Sequence, residues 1–241
     1  MLTGRVASGQ APIDGGLRNG EGHVDDKVRA SYDAVAARYT AEIADELNGK
    51  PVERALLGCL AELAGRDADG RPIGDVGCGP GHVAAYLAER GVSVLGVDLS
   101  PRMVEAARRR YPALTFEVGS MTALPAADAA WAGAVCAYAI IHLGPDERPD
   151  AYAELARVIA PGGWLLMSFH VSDAERAVGA VAHLDDWWDT PVNLDFHFLD
   201  PAGVAAGLTA AGFTVMARTD REPWPGTEHP SRRSHLLARR G

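Results

Sequence analysis

Two carboxylates around a glycine-rich turn are the residues whose types and spacing most suggest chemistry. Asp75 opens the run DVGCGPG, and Asp98 ends the next apolar run, GVD. Gly77, Gly79 and Gly81 let the backbone turn sharply and approach a ligand closely. A helix opening there would offer unpaired backbone N–H groups. A phosphate loop is excluded, because the Gly-Lys-Ser/Thr element is missing. A dinucleotide fingerprint is only approximated, because His82 stands where its last glycine belongs. A carboxylate ahead of the turn suits a cationic group better than a pyrophosphate. One about 20 residues beyond the turn suits the two hydroxyls of a ribose. Together they describe an adenosine ligand that carries an amine.

Other residues with chemical potential lie further along. His142 and His170 fall at the ends of apolar runs, and histidine titrates near neutral pH, which suits a general base. The segment HLDDWWDTPVNLDFHF is aromatic and irregular. There Trp187, Trp188, Phe196 and Phe198 are candidates to wall an apolar pocket, and His183, Asp185, Asp186 and His197 to orient a polar group. Arg221 is a candidate anion contact and Trp224 a second cover residue. No motif spacing supports a metal site. The run Arg108 to Arg110 reads as the exposed last turn of a helix.

These residues need elements to hold them. Beyond residue 71 apolar runs alternate with helical segments, the pattern of β-α-β units and a parallel sheet. Strands are expected in RPIGDVG, VSVLGVDLS, LTFEVGS, WAGAVCAYAIIHL, GWLLMSFHV, FTVMARTD and SRRSHLLARR. The last two follow each other directly, so the final strand should run antiparallel. Ser100 and Asp200 read as helix N-caps, and Pro161 with two glycines as a helix stop. The fold class is therefore α/β, a Rossmann-like doubly wound, seven-stranded, mostly parallel sheet with the last strand reversed. Residues 25–241 read as one domain, with a helical cap over 25–66 and a substrate-covering insert over 171–199. Residues 1–24, rich in glycine and small polar side chains, read as a disordered tail.

Composition narrows the function classes. The chain has 241 residues, 47% of them hydrophobic, enough for a core without disulfide or metal staples. The net charge of −9 argues against a duplex-binding protein. The three cysteines, Cys59, Cys78 and Cys136, form no close pair, which fits a reducing cytoplasm. No apolar run has the roughly 20 residues of a membrane span. The first residues lack an apolar leader core, so secretion is not expected.

The segments DVGCGPG, GVDLS, GSMTALP and AYAIIHL, with the reversed last strand, resemble the S-adenosylmethionine-dependent methyltransferases of Rossmann-like fold, in particular small bacterial members that modify small molecules. The resemblance implies that Gly77, Gly79 and Gly81 line the methionine part and ribose of the cofactor. It implies that Asp75 holds the methionine amine, that Asp98 takes the ribose hydroxyls, and that Leu99 and Met103 flank the adenine. Ser120 and Met121 stand where the family often has an acidic residue followed by an apolar one. Ala137, Tyr138 and His142 would lie beside the sulfonium, and Tyr32 and Tyr39 would close a helix over the methionine end. The implied reaction is methyl transfer to O or N of a small-molecule acceptor, with S-adenosyl-L-homocysteine as product. His142 and His170 are the candidate bases, and Trp187, Trp188, His197 and Arg221 the candidate substrate contacts. A monomer or homodimer is expected, with no membrane or nucleic-acid partner. Two other readings stand beside it: a cofactor-binding scaffold or regulator without methyl transfer, and a nicotinamide-dependent oxidoreductase, which His82 and Asp75 disfavour.

Overall fold

The computed structural model describes residues 24–66 and 68–241. The expectation for residues 1–24 lies outside these, apart from Val24, which opens the first helix. Seven strands form one sheet in the order β3-β2-β1-β4-β5-β9-β8. They are β1 (Ile73–Val76), β2 (Val94–Asp98), β3 (Thr115–Val118), β4 (Trp131–Ala137), β5 (Ile159–Asp173), β8 (Phe213–Arg221) and β9 (Ser231–Arg240). Strand β9 pairs antiparallel with both β5 and β8, and all other pairs in this sheet are parallel. This is the expected Rossmann-like sheet with its last strand reversed.

Every residue of β1 and all but the last of β4 are buried, as central parallel strands covered on both faces must be. One face packs on α2 (Pro51–Arg66), α3 (His82–Ala88) and α4 (Pro101–Arg110), through Leu57, Leu60, Leu87, Val104 and Phe116. The other packs on α5 (Arg148–Val158) and α6 (Pro201–Ala210), through Leu155, Ile159, Val204, Leu208 and Phe213. The expected caps form. Ser100 Oγ accepts from the Met103 N–H, and the Asp200 carboxylate accepts from the N–H groups of Ala202 and Gly203. Helix α5 ends at Val158, before Pro161, because Ile159 already pairs with Trp131 in the sheet.

Two elements lie outside this sandwich. Helix α1 (Val24–Ile43) leads through a 3₁₀ turn, Glu46–Gly49, into α2. Residues 171–199, the expected insert with its irregular aromatic segment, begin as the end of β5 and continue into a hairpin, β6 (Val181–Asp186) and β7 (Pro191–His197). The hairpin docks on α1, where the Asn193 N–H donates to Ser31 Oγ at 2.9 Å. The sheet order reverses between β1 and β4, and α/β sheets open a ligand crevice beyond the strand ends at such a point. No described helix is long and apolar enough to cross a membrane.

Candidate functional site

A cavity of about 800 Å³ opens at this crevice. The glycine turn is its floor. Gly77, Gly79 and Gly81 all adopt positive φ, +72°, +51° and +83°. A side chain on Gly77 would collide with Ala139, and one on Gly81 would meet the Phe116 ring at 2.8 Å. Gly81 thus packs inward and does not line the cavity, whereas Gly77 and Gly79 do. The Gly77 and Cys78 N–H groups donate to the Val97 carbonyl, at 2.8 and 3.0 Å, which ties the turn to β2.

Asp98 sits at the end of β2 beside the turn. Its Oδ2 accepts from Gly79 N–H and its Oδ1 from Ser100 N–H, both at 2.8 Å. A carboxylate has about four acceptor positions, so each oxygen keeps one for a ligand hydroxyl. Removal from water pushes its pKa up to about 6, against these hydrogen bonds. Asp75 is 1% exposed, and its Oδ2 has no partner among the described residues. Burial raises its pKa to about 7, with His82 acting in the opposite direction. A buried carboxylate oxygen without a donor is costly and fits a ligand ammonium.

Leu99, Met103, Met121 and Ala137 line the same cavity. Ser120 does not: its Oγ bonds Thr122 Oγ1 at 2.9 Å and accepts from the Thr122 N–H. Tyr32 and Tyr39 project from α1 with ring centroids 5.6 Å apart, and Trp187 meets both edge-on at 6.0 and 5.6 Å. Trp188 faces away, stacked on Trp187 at 4.8 Å under the Arg38 guanidinium.

The two histidines differ in availability. His142 Nδ1 lies 3.0 Å from the Asp195 carbonyl, which can only accept, so Nδ1 carries the proton. Nε2 then accepts from the Tyr32 hydroxyl at 2.7 Å. Burial lowers His142 to about 4, so the ring is neutral with both nitrogens committed. His170 pairs through Nδ1 with Ser231 Oγ at 2.7 Å, and its ring lies 5.0 Å from that of Tyr138. Burial, then Arg233, His229 and Lys50, lower it to about 3. Tyr138 itself holds φ +58°. Its hydroxyl points at Glu53, and its ring has Lys50 and Arg233 at 5.5 and 5.8 Å.

Two expected substrate contacts turn away from the cavity. Arg221 is buried against Glu53 and against Glu228, at 2.5 Å for the latter. Two carboxylates already satisfy its charge, so it is not on the cavity wall. His197 Nδ1 accepts from Arg148 at 3.3 Å and does not line the cavity. His183 Nδ1 bonds the Asp195 carboxylate across the hairpin at 2.8 Å.

Sequence reasoning missed a buried ion network that reaches the wall of the site through Glu46, Lys50, His82, Glu228 and Arg233. Lys50 bonds Glu46 at 2.6 Å, Glu46 meets His82 at 3.3 Å, and Glu228 joins Arg221 to Arg233, the latter at 3.2 Å. Burial opposes it, but the hydrogen bonds and charges of His82 and Lys50 hold Glu46 down to about 2. The one sequence signal is the scarcity of lysine: Lys50 is one of two in the chain.

Residues 73–163 match the family described as "Methyltransferase domain". A malonyl-[acyl-carrier protein] O-methyltransferase of Serratia marcescens is 32% identical over 162 residues, covering 67% of this chain and 54% of that protein. The chain thus spans about half the length of that relative. Among solved structures, the magnesium protoporphyrin IX methyltransferase of Synechocystis, with bound S-adenosylmethionine, superposes with a TM-score of 0.65 at 18% identity, over 92% of this chain and 100% of that one. The cyclase SpnF superposes with a TM-score of 0.66 at 20% identity, over 90% and 96%. The sheet order and the match of residues 73–163 place this part of the chain in the methyltransferase-domain family, on the fold shared by these S-adenosylmethionine-dependent neighbours.

Proposed function

We propose that this protein transfers the methyl group of S-adenosylmethionine to an oxygen or nitrogen of a small-molecule acceptor by in-line displacement. The observation that carries this reading is the pair of carboxylates on the cavity floor, Asp75 with a buried unpartnered oxygen and Asp98 with one free acceptor position on each oxygen. In this reading Asp75 takes the methionine ammonium, Asp98 the ribose hydroxyls, and Leu99, Met103 and Met121 the adenine. The bound cofactor supplies a methyl group already activated by its sulfonium. The residues of the chain then have two tasks, alignment of acceptor and donor and exclusion of water. Tyr32, Tyr39 and Trp187 serve the second, because their rings close over the cavity from α1 and the hairpin. The hairpin acts as a cover for the acceptor. The Tyr32 to His142 hydrogen bond and the His142 to Asp195 hydrogen bond join α1, the end of β4 and that cover in one chain of contacts.

Calorimetry with S-adenosylhomocysteine tests the cofactor placement. Asp98→Ala should weaken binding by roughly 1–3 kcal/mol, the loss expected for charge-assisted hydrogen bonds. Unchanged affinity rejects the placement. A screen of small acceptors, read by mass gain of one methyl, tests the transfer itself. Binding of S-adenosylhomocysteine with no methyl transfer to any acceptor would favour the scaffold reading.

A further inference from the structure

Helix α1 covers the cavity but is tied only lightly to the core. Val35 and Ala36 are buried, yet of the α1 residues only Val24 packs against either hydrophobic cluster of the sheet. Such an element opens at lower cost than the sheet itself, so its polar bonds weigh heavily in its position. Three consecutive residues in its middle bond three different elements. Ser31 Oγ accepts from the Asn193 N–H of β7 at 2.9 Å. The Tyr32 hydroxyl donates to His142, after β4, at 2.7 Å. Asp33 Oδ1 accepts from the Ser100 hydroxyl at 2.6 Å and from the Arg102 N–H at 3.1 Å, at the N-terminus of α4. The other tie to α4, Arg110 to Asp45 beyond the end of α1, is an exposed and weak ion pair.

Ser100 carries the Asp33 contact to the carboxylate read as the ribose site. Its backbone N–H donates to Asp98 Oδ1 at 2.8 Å while its hydroxyl donates to Asp33. Ser100 is buried, so that hydroxyl is fixed between α1 and α4. On the far side of α1, strand β7 bonds twice outside its hairpin. Its Asn193 N–H donates to Ser31, and its Asp195 carbonyl accepts from His142 Nδ1. A two-stranded hairpin is marginally stable by itself. Its closed position therefore depends on these two bonds and on the packing of Trp187 against Tyr32 and Tyr39. The contacts run from Asp98 through Ser100 and Asp33 into α1, and out through Ser31 and Tyr32 to the hairpin.

We propose, resting on the cofactor placement above, that Asp33 is a positioning residue: it clasps α1 onto α4, and so lets an occupied cofactor site close the hairpin over the acceptor. Tyr32 and Tyr39 line the cavity, so a bound cofactor gains their contact only when α1 is down. A ligand shifts an equilibrium toward the state that it contacts better. The same closure sets Ser31 and Tyr32 against the hairpin and His142. Cofactor and acceptor then assist each other's binding, and the acceptor is covered once the cofactor is in place. Asp33 does not line the cavity. It acts through Ser100, Arg102 and the helix that carries it.

Hydrogen–deuterium exchange on the full chain, with and without saturating S-adenosylhomocysteine, tests this. In the wild type the ligand should slow amide exchange in both α1 and β7 by about tenfold or more, the usual size of a coupling between sites. Asp33→Ala should still bind S-adenosylhomocysteine but lose the slowing in both elements. Alanine suits a helix interior, so the variant should fold, which urea unfolding checks. Asp33→Asn keeps a carbonyl acceptor for Ser100 and Arg102 and should restore the slowing. Ser31→Ala should keep it in α1 and lose it at the Asn193 amide. Slowing that survives in Asp33→Ala, no slowing in β7 of the ligand-bound wild type, or no restoration by Asp33→Asn overturns the proposal. Should Asp33→Ala unfold, the wild type and Ser31→Ala still decide: loss of the α1 slowing in Ser31→Ala would put the control of closure on the hairpin side and overturn it. Absence of S-adenosylhomocysteine binding to the wild type is a different result, which overturns the underlying cofactor placement.

Discussion

Asp75 and Asp98 share a residue type but have opposite surroundings. Asp98 is supported by two backbone N–H groups, whereas Asp75 Oδ2 is buried without a donor. That difference makes a pH prediction. Burial holds Asp75 at about 7 and Asp98 at about 6 in the ligand-free chain, above their unfolded values. These raised values favour the folded state below the unfolded carboxylate range, and the contribution is lost as pH rises through about 6 to 7. A ligand ammonium and ribose hydroxyls favour the ionised carboxylates, so binding in that window releases protons. S-adenosylhomocysteine affinity should therefore rise between about pH 5 and about pH 7.5 and then level off. Calorimetry in buffers of different ionisation heat reads the released protons directly. A flat profile would separate Asp75 from the ligand amine. Ser120, Trp188, His197 and Arg221 carry the complementary lesson. Each falls in the segment expected to form the site, and each turns to another side chain instead of the cavity. Side-chain direction depends on pairing register and neighbouring hydrogen bonds, which spacing along the chain does not encode.

At the scale of elements, the seven strands of the sheet and the helices between them are legible because their physics is local. Buried parallel strands are continuous apolar runs, and glycine, proline, Ser100 and Asp200 punctuate them. The hairpin is not legible for equally local reasons. Strand β6 is mostly exposed, and its turn lacks the usual glycine or asparagine. Trp188 and Asp189 adopt φ of +57° and +60° instead, the conformation of a two-residue type I′ turn. Trp187 and Thr190 close it with paired backbone hydrogen bonds at 2.9 and 3.2 Å. L-residues pay about 1–2 kcal/mol for the left-handed region, and stacking of Trp188 on Trp187 with Arg38 above offsets this. Asp189→Gly removes the steric cost without touching the stack. It should raise stability by about 0.5–1 kcal/mol, read as a higher midpoint in urea unfolding. A lower midpoint would show that the Asp189 side chain supports the turn.

Across the whole molecule, the buried ion network joins elements distant in the chain. Glu46, Lys50 and Glu53 come from the cap, and Arg221, Glu228 and Arg233 from the end of the sheet and its loop. The three acids and three cations balance in charge. Exact pairing matters here, because a buried charge left alone is expensive while a satisfied set is close to neutral. Arg221→Ala leaves Glu53 and Glu228 without their shared guanidinium. It should cost about 3–5 kcal/mol in urea unfolding, far more than a surface pair such as Arg102–Glu105, for which about 0–1 kcal/mol is expected. A loss of the surface size would mean that water reaches the network.

The sequence by itself determined the sheet, its reversed last strand, the glycine turn and the two carboxylates beside it. All of these follow from period, punctuation and short-range spacing, which a linear chain carries directly. Only the tertiary structure decided which side chains face the cavity, which histidine nitrogens are already committed, and where the buried cations of the cavity wall find their acids. Those outcomes depend on contacts between residues as far apart as Tyr32 and His142 or Glu53 and Arg221. Burial and pairing arise only when the cap, sheet and hairpin have closed on one another, and burial and pairing are what set the charge and reactivity of every group in the site.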